Sequence, residues 1–560
     1  MYSFKLKHIL LKTNLINFLL ICIGIFLRIK VFLENRSFWL DEAWVAAETV
    51  NRSLKDILIN VRLFSEFPQS IGFSLIIKIS TILFGNNEYA FRFFPLLCGI
   101  ISIFLFYFIL KKITSPEVQT IALGLFVFSY KLIYYSAELK SYSCAVMITL
   151  GLILIFLDSR EKQFPPYSFT TLTLTGALSM WLSNSSIFII ATIGILLIFY
   201  CFKIKKIKHT IFTLFIWILN FLCLYKLCLY QMSHNQTLHN MWQKGFLPVP
   251  FSFLKDILWL KHTILSLFKD PAGFSFPLLT FTLFILGIQS LFKKDKEILF
   301  LLISPLSLAL IASILQKYPF QGRLLLFSLP ALLLLVAEGV VYFIQIIRFY
   351  LNKLGKRQLT AIWVKTLIIY AITASILAIL FYKCIYLAGY HIIHKDYDEG
   401  NRIIMQGVAK YAQPNDLFIL NRSSQFQYLY YISRFNLVSK MASKTAVLNK
   451  KLIKCQEILK TSDSLYKKNG NSAMPSCFIL FSFTKNRQLS GVLQYTHNPL
   501  YLISETTPIN LKDYHRVWLI LSHIKPEAKE FLIKTLNKNG KLLLKINSSG
   551  NAIAYLYKIP

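Results

Sequence analysis

The most regular feature of the chain is a series of long apolar runs separated by short polar segments. A helix needs about 20 mostly apolar residues to cross the roughly 30 Å of hydrocarbon in a bilayer, and these runs are close to that length. The predicted spans are 15–32, 93–110, 121–133, 143–157, two within 168–202, 210–230, 275–292, 298–315, 324–347 and 361–388. The pattern therefore predicts an α-helical polytopic membrane protein with about eleven transmembrane helices.

Basic residues mark one side of this series. The formal net charge is +35, and Lys and Arg gather in the short loops 111–112, 203–208, 293–296 and 348–357. Short loops rich in Lys and Arg face the cytoplasm, which puts the N-terminus inside and the segments 34–92 and 231–273 outside. The apolar stretch 70–84 is interpreted as a helix in the interface, because a crossing there would put 111–112 outside. Topology thus explains the basic charge without a nucleic-acid partner.

The pattern changes character at about residue 391. Short strand-like runs and helical runs then alternate, and they predict strands at 417–420, 478–483, 517–522, 542–546 and 552–557 and helices at 401–412 and 525–538. This alternation predicts a small α/β domain, which an odd number of spans from a cytoplasmic start places outside. We expect a transmembrane domain over 1–390 and an extracytoplasmic domain over 391–560. A disulfide between Cys455 and Cys477 is allowed there, and its formation stays open.

Two adjacent carboxylates follow the first predicted span. Asp41 and Glu42 lie between the aromatic residues Trp39 and Trp44. Ionisable residues at a membrane edge are costly unless they are solvated, paired or used in function. On residue type alone, the favoured interpretation is ordinary interfacial polarity, with the two Trp side chains in the aromatic belt.

The order of the motifs adds a resemblance to a known superfamily. An aromatic-x-Asp-Glu-Ala segment after the first span resembles the first external loop of the GT-C glycosyltransferases, especially the branch with protein O-mannosyltransferases and aminoarabinose transferases. Further segments that resemble this branch, in the same order, are 64–68, 83–92, 135–142 and 322–330. Departures are Phe67, where some relatives carry Lys, and Lys140, where many relatives carry Arg. The resemblance implies a membrane glycosyltransferase with an external active site.

The superfamily's chemistry implies roles for individual residues. Its donor is a polyprenyl-phosphate-linked sugar, and its loop Asp acts as general base, which carries over to Asp41, with Glu42 orienting neighbours or helping to bind a metal. The residues expected to bind the donor phosphate or substrate are Glu66, Arg92, Glu138, Lys140, Tyr142 and Arg323. Cationic side chains suit an anionic phosphate leaving group. A divalent metal stays open, and His234 and His239 are interpreted as surface loop residues.

Other membrane functions share parts of this pattern. A transporter or flippase of lipid-linked sugars would favour charges in the middle of the spans and internal symmetry. A polymerase or ligase of lipid-linked glycans would favour a large functional loop late in the chain. The expected acceptor is a glycolipid, a polysaccharide or a protein, and the expected location is a bacterial inner membrane with the active site on its external face.

Overall fold

The protein is described by a computed structural model, which falls into two compact units. It describes residues 2–59, 69–203, 205–353, 359–394, 399–413, 416–421, 424–435, 478–482, 502–503, 515–524 and 526–560. The first unit consists of 1–34, 66–76 and 92–395, and the second of 35–65, 77–91 and 396–560. The second unit therefore contains most of the predicted first external loop in addition to the C-terminal part of the chain. The predicted domain boundary at residue 390 stays a prediction.

Helices form nearly all of the described chain up to residue 393. In chain order they are α1 (Tyr2–Leu33), α2 (Leu40–Asn51), α3 (Leu54–Ile59), α4 (Ile71–Phe84), α5 (Glu88–Ile113), α6 (Pro116–Val127), α7 (Tyr130–Tyr135), α8 (Tyr142–Glu161), α9 (Pro166–Leu182), α10 (Ser186–Lys203), α11 (Ile207–Leu224), α12 (Tyr230–Ser233), α13 (Gln236–Met241), α14 (Phe253–Lys269), α15 (Pro277–Lys294), α16 (Lys296–Ile314), α17 (Leu329–Lys353) and α18 (Leu359–Ile393). A π-helix, Tyr225–Leu229, follows α11, and 3-10 helices cover Gln243–Gly245 and Gly322–Ser328.

Seven helical segments in the described part of the chain are long and apolar enough to cross a membrane. They are Thr13–Leu33, Glu88–Ile113, Tyr142–Glu161, Ile207–Leu229, Lys296–Ile314, Gly322–Lys353 and Trp363–Tyr390. Shorter apolar helices occupy Ile71–Phe84, Pro116–Val127 and Ser186–Tyr200. The predicted class, a polytopic helical membrane protein with a small C-terminal α/β region, is confirmed. The two helices expected within 168–202 are α9 and α10, with the turn at Ser183.

Two predicted spans differ from the observed helices. The run 121–133 is divided, because Ser129 has extended backbone (φ −64°, ψ 110°) between α6 and α7. Serine suits such a position, since it favours the residue before a helix over the helix interior. The run 324–347 starts with a 3-10 segment, and α17 begins only at Leu329. Pro330 then occupies the first turn of α17, where its missing N–H leaves no helical hydrogen bond unmade.

Helices of the first unit pack through small residues and a few buried polar contacts. Thr173 of α9 and Thr213 of α11 share a hydrogen bond of 2.7 Å between their hydroxyl oxygens, and Trp217 Nε1 donates to the Thr173 carbonyl at 3.1 Å. Gly176 lies against the indole of Trp217, where a methyl group would come within 2.5 Å of Nε1. Small residues let helices approach closely where the apolar solvent provides no hydrophobic driving force.

The C-terminal part of the second unit is an α/β domain. Its elements are α19 (Asn401–Tyr411), β1 (Leu417–Asn421), α20 (Gln425–Arg434), β2 (Phe478–Ser482), β3 (Leu502–Ile503), β4 (Arg516–Leu521), α21 (Pro526–Asn539), β5 (Lys541–Asn547) and β6 (Ile553–Lys558). The strand order in the described sheet is β3-β2-β1-β4-β6-β5. Only β1 and β4 are parallel among the described pairs, with Leu417 opposite Val517. The predicted strands and helices of this region are confirmed within two residues at each end.

The residue types of two strands fit their central and edge places in the sheet. Strand β4 is central, and its residues from Val517 to Leu521 are all buried, as its continuous apolar sequence requires. Strand β5 lies at an edge and carries Lys541 and Lys545, charges that discourage pairing with another chain. The buried Asp416 accepts hydrogen bonds from Arg516 Nε at 2.8 Å and from Trp518 Nε1 at 2.8 Å, which fixes the start of the sheet.

Candidate functional site

The predicted base Asp41 lies in the first turn of α2. The helix begins with Leu40, after Trp39, whose backbone is extended (φ −82°, ψ 173°). Asp41 and Glu42 are its next two residues. Carboxylates are favoured there, because the free N–H groups of a helix start give it partial positive charge. The Asp41 side chain is partly exposed, whereas Glu42 is buried. Asp41 is therefore the more accessible of the two predicted catalytic carboxylates.

The segment before α2 is held by a chain of buried hydrogen bonds. Phe38 N donates to Tyr431 Oη at 3.2 Å, and Tyr431 in turn donates to Glu88 Oε1 at 2.9 Å. Glu88 also forms an ion pair with Arg434. On the other side, Asn401 Nδ2 donates to the Phe38 carbonyl at 3.3 Å. Both backbone groups of Phe38, three residues before Asp41, thus have fixed partners in the C-terminal domain.

Ring packing anchors the same segment and the helix that follows it. Trp44 stacks on Phe426 of α20 with ring centroids 4.6 Å apart and an interplanar angle of 10°. Phe38 is fully buried, and its ring contacts Phe91 edge-on and Tyr430 at centroid distances of 5.4 and 4.9 Å. Aromatic contacts of this kind favour one fixed arrangement. Trp44 therefore packs against protein, in contrast to the interfacial belt that residue type alone favoured.

Another carboxylate, Glu399, is linked to this segment through Asn401, and the sequence analysis missed it. It is buried, and its Oε2 accepts from Asn401 Nδ2 at 2.8 Å, Ser522 Oγ at 3.4 Å and Gln427 Nε2 at 3.5 Å. Its Oε1 hydrogen-bonds His523 Nε2. This bond raises the pKa of His523, opposed by partial burial and supported by the charges of Glu399 and Asp41. The imidazole is thus within electrostatic range of the predicted base.

The first unit contains a separate cluster of predicted residues. Arg323 has its guanidinium carbon 5.8 Å from the Tyr142 ring centroid and 5.5 Å from that of Trp242. Burial raises the pKa of Tyr135, the charge of Glu138 raises it further, and the charge of Arg323 opposes that rise. These contacts and charges bring Glu138, Tyr142 and Arg323 together, although they are far apart in sequence. The cluster combines a fixed cation, a carboxylate and aromatic faces, which suits a phosphate with an attached ring.

Loop contacts fix the surroundings of this cluster. Lys140 N donates to the Glu138 carbonyl at 2.7 Å, and the Lys140 side chain is buried. Asp270 pairs with Lys131 at 3.2 Å, and its carboxylate borders Gly322, whose left-handed φ of +50° suits glycine. Within the second predicted external loop, the Gly245 carbonyl accepts from Phe320 N at 2.7 Å and from Ser313 Oγ at 2.7 Å. The loop thereby packs against the segment that leads to Arg323.

The remaining residues that the sequence analysis singled out differ in burial, and some of them lie outside the described residues. Arg92 is buried in α5, and Glu66 lies outside the described residues, as do Cys455 and Cys477. His234 is exposed and its ring lies tilted against Tyr230, whereas His239 is partly buried and stacks on Phe246. Among the residues that the structure describes, no three His, Cys, Asp or Glu side chains form a group that could hold a metal ion. The described side chains therefore offer no ready-made metal centre.

Residues that sequence reasoning missed are Glu399, His523 and Trp242. Trp242 had a weak signal, since it is an aromatic residue in a predicted external loop. Glu399 and His523 had none, because each is a single polar residue between elements. Their significance depends on contacts across more than 120 positions of sequence.

The long apolar helices define a polytopic membrane protein, and its described polar side chains include the partly exposed Asp41 and an arginine, Arg323, held against aromatic rings. Residues 68–226 match the family of dolichyl-phosphate-mannose-protein mannosyltransferases. The matched segment includes Arg92 and the motif from Glu138 to Tyr142. The match confirms the resemblance to the GT-C superfamily, and the chain is a membrane glycosyltransferase. No curated protein matches the chain over its sequence.

Solved structures show weaker likenesses. ArnT from Cupriavidus metallidurans bound to undecaprenyl phosphate gives a TM-score of 0.49 at 9% identity, covering 96% of this chain and 97% of that one. The same protein in its apo state gives 0.47 at 9% identity, over 94% and 96% of the two chains. The apo oligosaccharyltransferase of Archaeoglobus fulgidus gives 0.45 at 13% identity, over 74% and 59%. Each TM-score is below 0.5, and similarity at that level does not establish a common fold.

Proposed function

We propose that the protein transfers a sugar from a polyprenyl-phosphate donor to an acceptor on the external side of a bacterial inner membrane. The family match over 68–226 carries this proposal, because that family takes its name from a lipid-phosphate-linked sugar donor. The long apolar helices offer apolar surface that a polyprenyl tail can contact within the membrane. The acceptor is a glycolipid, a polysaccharide or a protein.

The acceptor side of the reaction needs a base. The acceptor's nucleophilic oxygen bonds to the anomeric carbon, its proton passes to the Asp41 carboxylate, and the bond from the anomeric carbon to the phosphate oxygen breaks. Asp41 is suited to this step because it is partly exposed on a helix start whose preceding backbone is fixed at Phe38. Glu42 is buried beside it and is assigned to orienting its neighbours.

The donor side needs a cation. The leaving polyprenyl phosphate takes the electron pair of the broken bond, and its negative charge is stabilised by fixed positive groups. Arg323, held over Tyr142 and Trp242, is the proposed phosphate ligand, with Arg92 and Lys140 as further cations. Glu138 keeps Arg323 oriented in this proposal, and Glu66 is assigned to the substrate side on the resemblance alone.

Replacement of Asp41 tests the base assignment. In membranes that contain the full-length protein with endogenous donors and acceptors, Asp41→Asn should lower sugar transfer by about 100- to 10,000-fold, the range that a general base contributes. The amide keeps the size of the side chain and removes its basicity, so the protein level should be unchanged. Transfer at the wild-type rate by this variant would refute the assignment.

A matched control is available in Asp256. This carboxylate accepts from Ser252 N at 3.1 Å at the start of α14 and belongs to another predicted external loop. Asp256→Asn should retain transfer, which separates the loss of a base from a general effect of removing an external charge. Labelling of single cysteines introduced at Lys55 and Lys244 from one face of sealed vesicles tests the common sidedness that the reaction needs. Access from opposite faces would contradict the proposal.

A further inference from the structure

A groove of about 340 Å³ lies between α10 and α16 in the first unit, and it shares no lining residue with the clusters described above. One stripe of α10 forms its first wall, at the i, i+3, i+4 and i+7 spacing of a helix face, with Leu196, Phe199, Tyr200 and Lys203. The first residues of α16 form the opposite wall. In the predicted topology this end of both helices faces the cytoplasm.

The polarity of the groove changes along its length. Lys203 ends α10 and Lys296 begins α16, whereas Leu196 lies seven residues before Lys203, about 10 Å deeper along the helix axis. Phe199 and Phe300 add exposed apolar surface on the two walls. Cations at the ends of the helices and apolar surface beyond them match a phospholipid, whose phosphate lies at the membrane surface and whose acyl chains lie below it.

The charges at the mouth of the groove favour an anion. Glu297 also borders the groove, and Arg160 pairs with it through Nε at 3.0 Å and with Asp295 through Nη2 at 2.7 Å. One arginine therefore partly compensates both carboxylates. Within the part of the chain that the structure describes, neither Lys203 nor Lys296 pairs with a carboxylate, so the mouth keeps a net positive charge.

Aromatic rings hold both lysine side chains near the groove. Lys203 Nζ lies 5.9 Å from the ring centroid of Tyr200, which is buried and donates a hydrogen bond to Glu297. Lys296 Nζ lies 4.7 Å from the ring centroid of Phe292 on α15. A cation that already rests on a ring has less side-chain freedom to lose when it binds a phosphate.

We propose that this groove binds an anionic phospholipid of the cytoplasmic leaflet, with the lipid phosphate between Lys203 and Lys296 and an acyl chain along Phe199 and Phe300. A zwitterionic phospholipid carries its own cation next to the phosphate and gains less from the two lysines. Free phosphate satisfies the lysines but leaves the apolar walls uncovered. The proposed occupant is therefore a lipid, and the inference is independent of the transfer reaction.

Native mass spectrometry of the full-length protein, purified in detergent, measures the tightest binding step of added phosphatidylglycerol. Lys203→Gln combined with Lys296→Gln should weaken this step about 30-fold, the effect of removing two basic residues near a lipid phosphate. The matched control is Lys208→Gln combined with Lys353→Gln, which removes two exposed lysines of the same predicted side and should keep the wild-type affinity. Lys203→Arg combined with Lys296→Arg keeps both charges and should also bind as the wild type does.

Two further arms identify which part of the lipid is recognised. Phosphatidylcholine should bind the wild type about as weakly as phosphatidylglycerol binds the glutamine pair, and inorganic phosphate in molar excess should not displace phosphatidylglycerol. Phe199→Ala combined with Phe300→Ala changes no charge and should weaken phosphatidylglycerol binding about threefold. Equal affinity of the groove pair and the control pair, equal binding of the two lipids, or displacement by phosphate would each overturn the proposal.

Thermal unfolding in detergent gives a second measurement. A ligand that binds only the folded state raises the unfolding midpoint, so phosphatidylglycerol should stabilise the wild type and the control pair but not the groove pair. If the groove pair does not accumulate, the single variants Lys203→Gln and Lys296→Gln take its place, and each should weaken binding about fivefold. Wild-type stabilisation of the groove variants by the lipid would refute the site.

Discussion

A very close helix contact in the first unit leads to a stringent prediction. Gly287 of α15 and Gly339 of α17 face each other, and a methyl group on Gly339 would lie 1.8 Å from the Leu283 carbonyl oxygen. A methyl group on Gly287 would lie 1.9 Å from the Leu335 carbonyl oxygen. Both obstacles are backbone atoms, which cannot rotate away. Gly339→Ala should therefore push the two helices apart.

The size of the effect follows from these distances. Real Cβ contacts essentially never fall below 3.0 Å, so the gap must widen from 1.8 Å by more than 1 Å along the contact. Overpacking of an ordinary core costs about 1–3 kcal/mol, and a rigid backbone clash belongs at or above the upper end. The widened crossing would also strain the hydrogen bond of 2.6 Å from Ser290 Oγ to the buried Glu338. We expect a stability loss of about 3 kcal/mol.

Thermal unfolding of the purified protein in detergent measures this loss. Gly339→Ala and Gly287→Ala should each unfold at a clearly lower temperature than wild type, or fail to accumulate as monodisperse protein. Gly151→Ala is the matched control, because its methyl group would meet only Leu105 Cδ1 at 3.9 Å, an ordinary contact, within another predicted span. Equal unfolding temperatures for Gly339→Ala, the Gly151 control and wild type would refute the predicted backbone contact.

Two further predictions concern the cationic cluster and the C-terminal sheet. Arg323→Ala should weaken donor use, seen as a raised KM for the lipid-linked sugar in transfer assays, and Arg323→Lys should restore it only in part, because Lys keeps the charge without a planar group to stack on Tyr142. An unaltered KM in both variants would contradict the phosphate role. Asp416→Ala should destabilise the protein by roughly 2–3 kcal/mol, since it removes the acceptor of Arg516 and of the buried Trp518 Nε1. Thermal unfolding checks this loss, and Asp416→Asn, which keeps one acceptor oxygen, should lose less.

Much of the fold could be predicted because its signals are local. A long apolar run that ends in a basic loop on one side identifies a span whichever helices it packs against, and the elements of the C-terminal sheet follow from short apolar runs between turns. The observed elements differ at Ser129 and Pro330, where a single residue interrupts or starts a helix. Such ends depend on local backbone geometry that hydropathy does not register.

The candidate site could be predicted only in part. The order of the motifs pointed to Asp41, Glu138 and Arg323, and the structure places Arg323 against Tyr142 in the first unit. It places Trp44 differently, since the Trp44 ring stacks on Phe426, a residue of the C-terminal domain. The roles of Asp41 and Arg323 in the reaction stay predictions, because geometry without substrate does not assign them.

The sequence by itself determined the class of protein, the approximate spans, the α/β character of its C-terminal part and the resemblance that identifies a glycosyltransferase. These properties follow from composition and short-range periodicity, which every segment carries in its own residues. Only the tertiary structure decided that Glu399 hydrogen-bonds His523 and, through Asn401, reaches the Phe38 carbonyl, and that Gly287 and Gly339 meet backbone to backbone. Such neighbours are set by how distant segments pack, and burial then gives an isolated polar residue or glycine a consequence that its sequence position does not reveal.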